Sequence, residues 1–117
     1  MSAINFVGRL GKDPDSKYTP DGKMVTKFSV AEDQGYGEKK TTAWYNCSVW
    51  GEKPSENVKR ILTKGSQVYI NGVLTIREWN DKEGKKHVNH DVRVNDWKAV
   101  GKKNAETPED TPFDPEG

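Results

Sequence analysis

The residues best suited to do chemistry are Trp44 and Trp50, set in the run Thr42-Ala43-Trp44-Tyr45-Asn46-Cys47-Ser48-Val49-Trp50-Gly51. Side chains alternate sides along a β-strand, so Tyr45, Cys47 and Val49 share one face and Trp44, Asn46, Ser48 and Trp50 the other. The first set is apolar and suits a core. The second joins two indoles to an amide and a hydroxyl, polar groups for which a core has little use. Two large aromatics in solvent on a rigid strand make a stacking platform for planar ligands. The competing account, Trp50 packed under a loop near the strand end, explains one tryptophan more easily than two.

The elements that must hold this platform are mostly short strands. Ala3 to Gly11 alternates, with Ile4, Phe6 and Leu10 on one side and Asn5, Val7 and Arg9 on the other, and Gly8 and Gly11 predict a bend or bulge. Asp13-Pro14-Asp15 and Thr19-Pro20-Asp21-Gly22 read as turns, the second leading into a strand from Met24 to Ala31 with Phe28 and Val30 inward. Glu32 to Thr41, with two glycines and Tyr36, reads as a flexible hairpin tip before the tryptophan strand. Pro54-Ser55-Glu56 then starts a helix of two to three turns with the stripe Val58, Ile61 and Leu62, ending at Lys64-Gly65. Ser66 to Trp79 alternates most cleanly: Val68, Ile70, Leu74 and Ile76 face inward, while Arg77 and Trp79 fall on the polar side. After the turn at Asn80 to Gly84, Lys86 to Val94 forms a last strand with Val88, Val92 and Val94 inward.

The predicted fold is therefore all-β: a five-stranded barrel with one short helix between strands 3 and 4, the element order of an OB-fold, followed by a disordered acidic C-terminal tail. Trp97, near the end of the barrel, is expected to close it by packing. With 117 residues, 32% of them hydrophobic and 32% charged, the chain suits one small domain with a highly charged surface. All 19 basic residues lie at or before Lys103, and five of the 18 acidic residues lie after it, so the body carries +6 and the tail −5. A body of that sign attracts a polyanion. Residues 1–103 are expected to form the domain, and 104–117, rich in Glu, Asp, Pro and Thr, the tail.

Enzymatic readings fare poorly. The single Cys47 excludes an internal disulfide and a multi-cysteine zinc site, and reads as a small buried hydrophobe. His87 and His90 are three apart, point to opposite faces of a strand and cannot both bind one metal. No glycine-rich phosphate loop, nucleophile motif or carboxylate cluster occurs in the body. A protein without catalysis, metal or cofactor is expected. With no signal peptide and no membrane-length apolar run, it is expected in the cytoplasm.

Val7-Gly8-Arg9-Leu10-Gly11-Lys12-Asp13-Pro14, Thr42-Ala43-Trp44 followed by Trp50-Gly51, and Lys64-Gly65-Ser66-Gln67-Val68-Tyr69-Ile70-Asn71-Gly72 with Leu74 together resemble the bacterial single-stranded DNA-binding proteins of the homo-oligomeric OB-fold family. The resemblance covers roughly residues 3 to 100. It implies a sheet face on which bases stack against Trp44, Trp50 and Trp79, with Tyr36 matching a hairpin aromatic, and phosphates met by Arg9, Lys12, Lys64 and Arg77. It also implies a homotetramer acting in DNA replication, recombination and repair. Departures are specific: Glu78 stands where a basic residue usually precedes the third aromatic, and Glu52 where a lysine is common, which leaves Lys53 and Arg77 to replace those contacts. Solvated charge is a sufficient account of Lys53, as of Lys27, Lys39, Lys40, Lys85 and Lys86. Family tails end in an acidic run closing on Pro-Phe. Here Asp110, Pro112 and Phe113 carry that pattern, with four further residues after it, and they are the candidate contacts for replication or repair proteins. Two other readings stay open, an OB-fold protein-interaction module of a primosome-type complex and an RNA-binding OB domain.

Overall fold

The computed structural model describes residues 1–35 and 37–101; Tyr36 and the expected tail, with Asp110, Pro112 and Phe113, lie outside them. Six strands and one helix follow in order: β1 (Ser2–Leu10), β2 (Asp15–Tyr18), β3 (Met24–Gln34), β4 (Thr41–Trp50), α1 (Glu52–Ile61), β5 (Gln67–Asn80) and β6 (Lys86–Ala99). A 3-10 turn at Gly37–Lys39 lies between β3 and β4. The strands run β1-β5-β6-β4-β3-β2, and β1 also pairs with β3, which closes the five long strands into a barrel. That is the OB arrangement, with the helix between the third and fourth long strands as expected. The four-residue β2 is an addition, antiparallel to the first half of β3. Its residues, Asp-Ser-Lys-Tyr, carry no apolar alternation, so its strand geometry comes from pairing with an edge. It also satisfies a buried hydroxyl: Ser16 Oγ and Thr26 Oγ1 are 2.6 Å apart, and Thr26 is fully buried.

The inward residues of each strand meet in one core. Phe6 stacks on Tyr45 with ring centroids 4.3 Å apart, and Phe28, Val30, Val68, Ile70 and Val92 surround them. Leu62, just past α1, and Val58 are completely buried and plug one end of the barrel. Helix geometry sets which residues do this: Ser55, Val58 and Leu62 lie within one narrow stripe, while Ile61 falls well to its side. Ile61 is accordingly exposed and not part of the expected stripe. Truncating Leu62 to alanine is expected to cost about 2–5 kcal/mol.

Two glycine positions differ from expectation. β1 carries no bulge; instead a Cβ on Gly8 would lie 2.4 Å from the Ala31 carbonyl oxygen, because β3 crosses β1 there to close the barrel. The register shift occurs between Asn71 and Gly72 of β5, opposite β6, where a Cβ on Gly72 would lie 2.3 Å from the Arg93 carbonyl oxygen. Past Leu74 on β5 and before Asp91 on β6, where the pairings with β1 and β4 end, the two strands leave the barrel as a two-stranded arm. Ile76 and Val88 keep the inward parity, yet there is no core beneath the arm, and both are about half exposed. Trp97 is partly buried against the core, the packing role expected of it.

Candidate nucleic-acid interface

Parity alone sorts β4: Tyr45, Cys47 and Val49 are buried while Trp44, Asn46 and Trp50 are exposed. Strand registers then extend that outer face sideways. Trp44 lies in a row with Ala31 and Arg9, Asn46 with Ser29, Asp91 and Thr75, and Ser48 with Lys27 and Arg93. The same face continues along the arm, where Arg77 stands opposite Asn89 and Trp79 opposite His87. Trp44, Trp50 and Trp79 are 52%, 38% and 42% exposed, so three indoles occupy one outer face and none is fully free.

Each indole is held by a different neighbour. Trp44 lies over the backbone of Gly11, where only a residue without a side chain fits under ring atoms Cζ3 and Cη2. Trp50 carries the Arg93 guanidinium 5.2 Å from its ring centroid, a cation–π contact. Trp79 stacks on the His87 imidazole at 4.5 Å with ring planes 18° apart. His87 Nε2 is in turn 2.9 Å from Asp81 Oδ2, and the other carboxylate oxygen accepts the Glu83 and Lys85 N–H groups, each at 2.9 Å. The bond to His87 first, and the Lys85 amide next, hold the Asp81 carboxyl below the usual carboxylate range.

Between β4, β6 and the segment after β1 runs an open groove of about 450 Å³, lined by Lys12, Asp13, Asp15, Lys27, Asn46, Trp50, Arg77 and Asp91 among others. Its three cations and three carboxylates make it polar without a large excess of either sign. Arg77 Nε donates to Asp91 Oδ2 at 3.0 Å, and Asn46 Nδ2 donates to Asp91 Oδ1 at 3.3 Å. The Asn89 amide, turned so that both its atoms find complementary partners, brings its oxygen 2.7 Å from Arg77 Nη2. With both partners well exposed, the Arg77–Asp91 pair contributes at most about 1 kcal/mol, so a phosphate can compete for Arg77.

The groove thus gathers Trp50, Lys12 and Arg77 from among the expected contacts. Arg9 lies outside it, exposed, with Nη1 3.5 Å from the Gly65 carbonyl oxygen, too long for a strong bond. Lys64 occupies the connection between α1 and β5, where its backbone N–H donates to Asp13 Oδ1 at 2.8 Å. Lys53 is exposed on α1, apart from the groove. Arg93, Asp91 and His87 did not come from the sequence reading as site residues, although the inward valines of β6 already implied that their alternates face the platform. Burial pushes the Cys47 thiol up to about 12, so it is no nucleophile at neutral pH. Among the described residues no group of three or more His, Cys, Asp or Glu is placed to hold a metal ion, and no helix is long and apolar enough to cross a membrane.

The sequence profile of the Single-strand binding protein family matches residues 1–100. The chain is 34% identical over 109 residues to "Single-stranded DNA-binding protein 1" of Xylella fastidiosa, an alignment covering 88% of this chain and 79% of that protein. It is 30% identical over 109 residues to "Single-stranded DNA-binding protein" of Neisseria meningitidis and 40% identical over 90 residues to "Single-stranded DNA-binding protein 2" of Listeria monocytogenes. Those alignments cover 89% and 74% of this chain, and 62% and 55% of the two relatives.

Proposed function

The chain belongs to the single-strand binding protein family, and on that premise we propose that it binds single-stranded DNA with little sequence preference and protects it during replication, recombination and repair. The observation that carries this reading is the placing of three half-exposed indoles on one rigid outer face. Every base has a π-face, so stacking on Trp44, Trp50 and Trp79 contributes about 1–3 kcal/mol per base without reading sequence. Tyr36 is a further stacking candidate. Lys12 and Arg77 meet phosphates in the groove, and Arg9, Lys53 and Lys64 meet them outside it. A barrel of this size engages about 4 to 16 nucleotides. Duplex binds poorly because its bases already stack on one another.

The protein acts as a homo-oligomer, as a tetramer on the family pattern. The exposed apolar residues Val7, Ile76 and Val88 support self-association. Asp110, Pro112 and Phe113 recruit replication or repair proteins, and the setting is the cytoplasm at the nucleoid. No catalysis is assigned.

Titrating the intrinsic tryptophan fluorescence with oligo-dT at two salt concentrations, with duplex of equal length as control, tests the reading. Saturable quenching that weakens with salt and is absent with duplex is the expected result. An unchanged spectrum with oligo-dT overturns it.

A further inference from the structure

Trp79 stands on an arm with no core beneath it, so something other than packing must set its ring plane. β5 and β6 place His87 directly opposite Trp79, and the imidazole lies nearly parallel to the indole at 4.5 Å. The turn between the strands orients that imidazole. Asp81 is fixed by the Glu83 and Lys85 N–H groups, and its free oxygen meets His87 Nε2 at 2.9 Å. Turn, carboxylate, imidazole and indole form one chain of contacts that ends on the stacking ring.

We infer that His87, oriented by Asp81, is the positioning residue for Trp79: it covers one face of the indole and leaves the other as a single, preset surface for one nucleobase. The inference rests on the single-stranded DNA reading above. It replaces, on this arm, the ordering that a core supplies to the barrel strands. Without His87 the indole keeps only the contact of its Nε1 with the Asn89 amide, at 3.4 Å, and a base must do more of the ordering on binding. An aromatic pair of this kind is worth about a two- to tenfold change in affinity.

The test measures oligo-dT affinity of the full chain and of the variants Trp79→Ala, His87→Ala, His87→Phe and the double variant Trp79→Ala/His87→Ala, with thermal unfolding as a check on folding. Trp79→Ala is expected to weaken binding. His87→Ala is expected to weaken it about two- to tenfold, His87→Phe to restore most of the loss, and His87→Ala to add nothing once Trp79 is gone. Wild-type affinity in His87→Ala, or an equal loss with and without Trp79, overturns the positioning role while leaving the DNA-binding reading intact. Wild-type affinity in Trp79→Ala overturns both the stacking at this ring and the inference built on it.

Discussion

A β-carbon on Gly11 would lie 2.7 Å from Cζ3 of Trp44, so the backbone after β1 forms the seat of an indole on β4. Gly11→Ala is therefore expected to push the ring off its seat while leaving the barrel closed. Oligo-dT affinity should fall, by less than in Trp44→Ala, with the unfolding temperature within a few degrees of wild type. Near-UV circular dichroism reads the ring displacement directly, and an unchanged spectrum would show that the seat does not set the ring.

Trp50→Ala should cost about 1–3 kcal/mol of oligo-dT binding, roughly a 5- to 150-fold rise in Kd. Trp50 is exposed and near a strand end, so the fold should survive. Arg93→Gln removes the cation over the same ring and is expected to give a smaller loss in the same direction. Filter binding at one fixed salt concentration measures both.

Gly72→Ala acts on the fold instead. The Arg93 carbonyl stands where the new methyl must go, and backbone yields less easily than a flexible side chain. A destabilisation of about 1–3 kcal/mol is expected in urea unfolding. Wild-type stability would show that the strands can separate at the register shift at little cost.

How much of this was legible beforehand depended on which physical signal each residue carries. Alternation placed Trp44, Trp50, Tyr45 and Cys47 correctly, because a strand offers a side chain only two directions. It could not say how far the core extends beneath a strand. Ile76 and Val88 have inward parity on an arm that has left the barrel, and they are exposed. Nor does spacing show close approach: the glycine at position 8 accommodates a crossing strand, which is a fact about a neighbour some twenty residues away. The groove carboxylates Asp13 and Asp15 sit beside Lys12 in one stretch, but Asp91 lies far along the chain, and only the closed barrel shows that it shares space with them, Lys27 and Arg77.

The thiol of Cys47 should resist alkylation in the native state, since it is buried and its pKa is pushed up to about 12. Mass spectrometry after iodoacetamide treatment at pH 8 should show modification only at the rate at which the barrel opens, and full modification in denaturant. Rapid native labelling would contradict the packing of β4.

Acid should loosen the arm before the barrel. The Asp81 carboxyl is held below its ordinary value in the folded protein, so its contribution is complete above the unfolded value near 4 and is lost as pH falls through the lower, folded value. The difference in unfolding temperature between wild type and Asp81→Asn is expected at pH 6 and should shrink away as pH falls through the lowered, folded value. A difference that persists unchanged in acid would show that the carboxylate's charge plays no part.

The pairing of β1 with β5 also orders events in time. Phe6 lies opposite Ile70, and Asn5 opposite Asn71, so β1, synthesised well before β5, waits for it. Its pairing with β3 reaches only Arg9 and Leu10, too short a ladder to hold it meanwhile. Barrel closure is thus a late, non-local step, which places folding in the slower, millisecond-to-second regime of such topologies. Until then the nascent chain carries Ile4, Phe6 and Leu10 uncovered, which makes the interval before residue 67 emerges the one most open to misassembly.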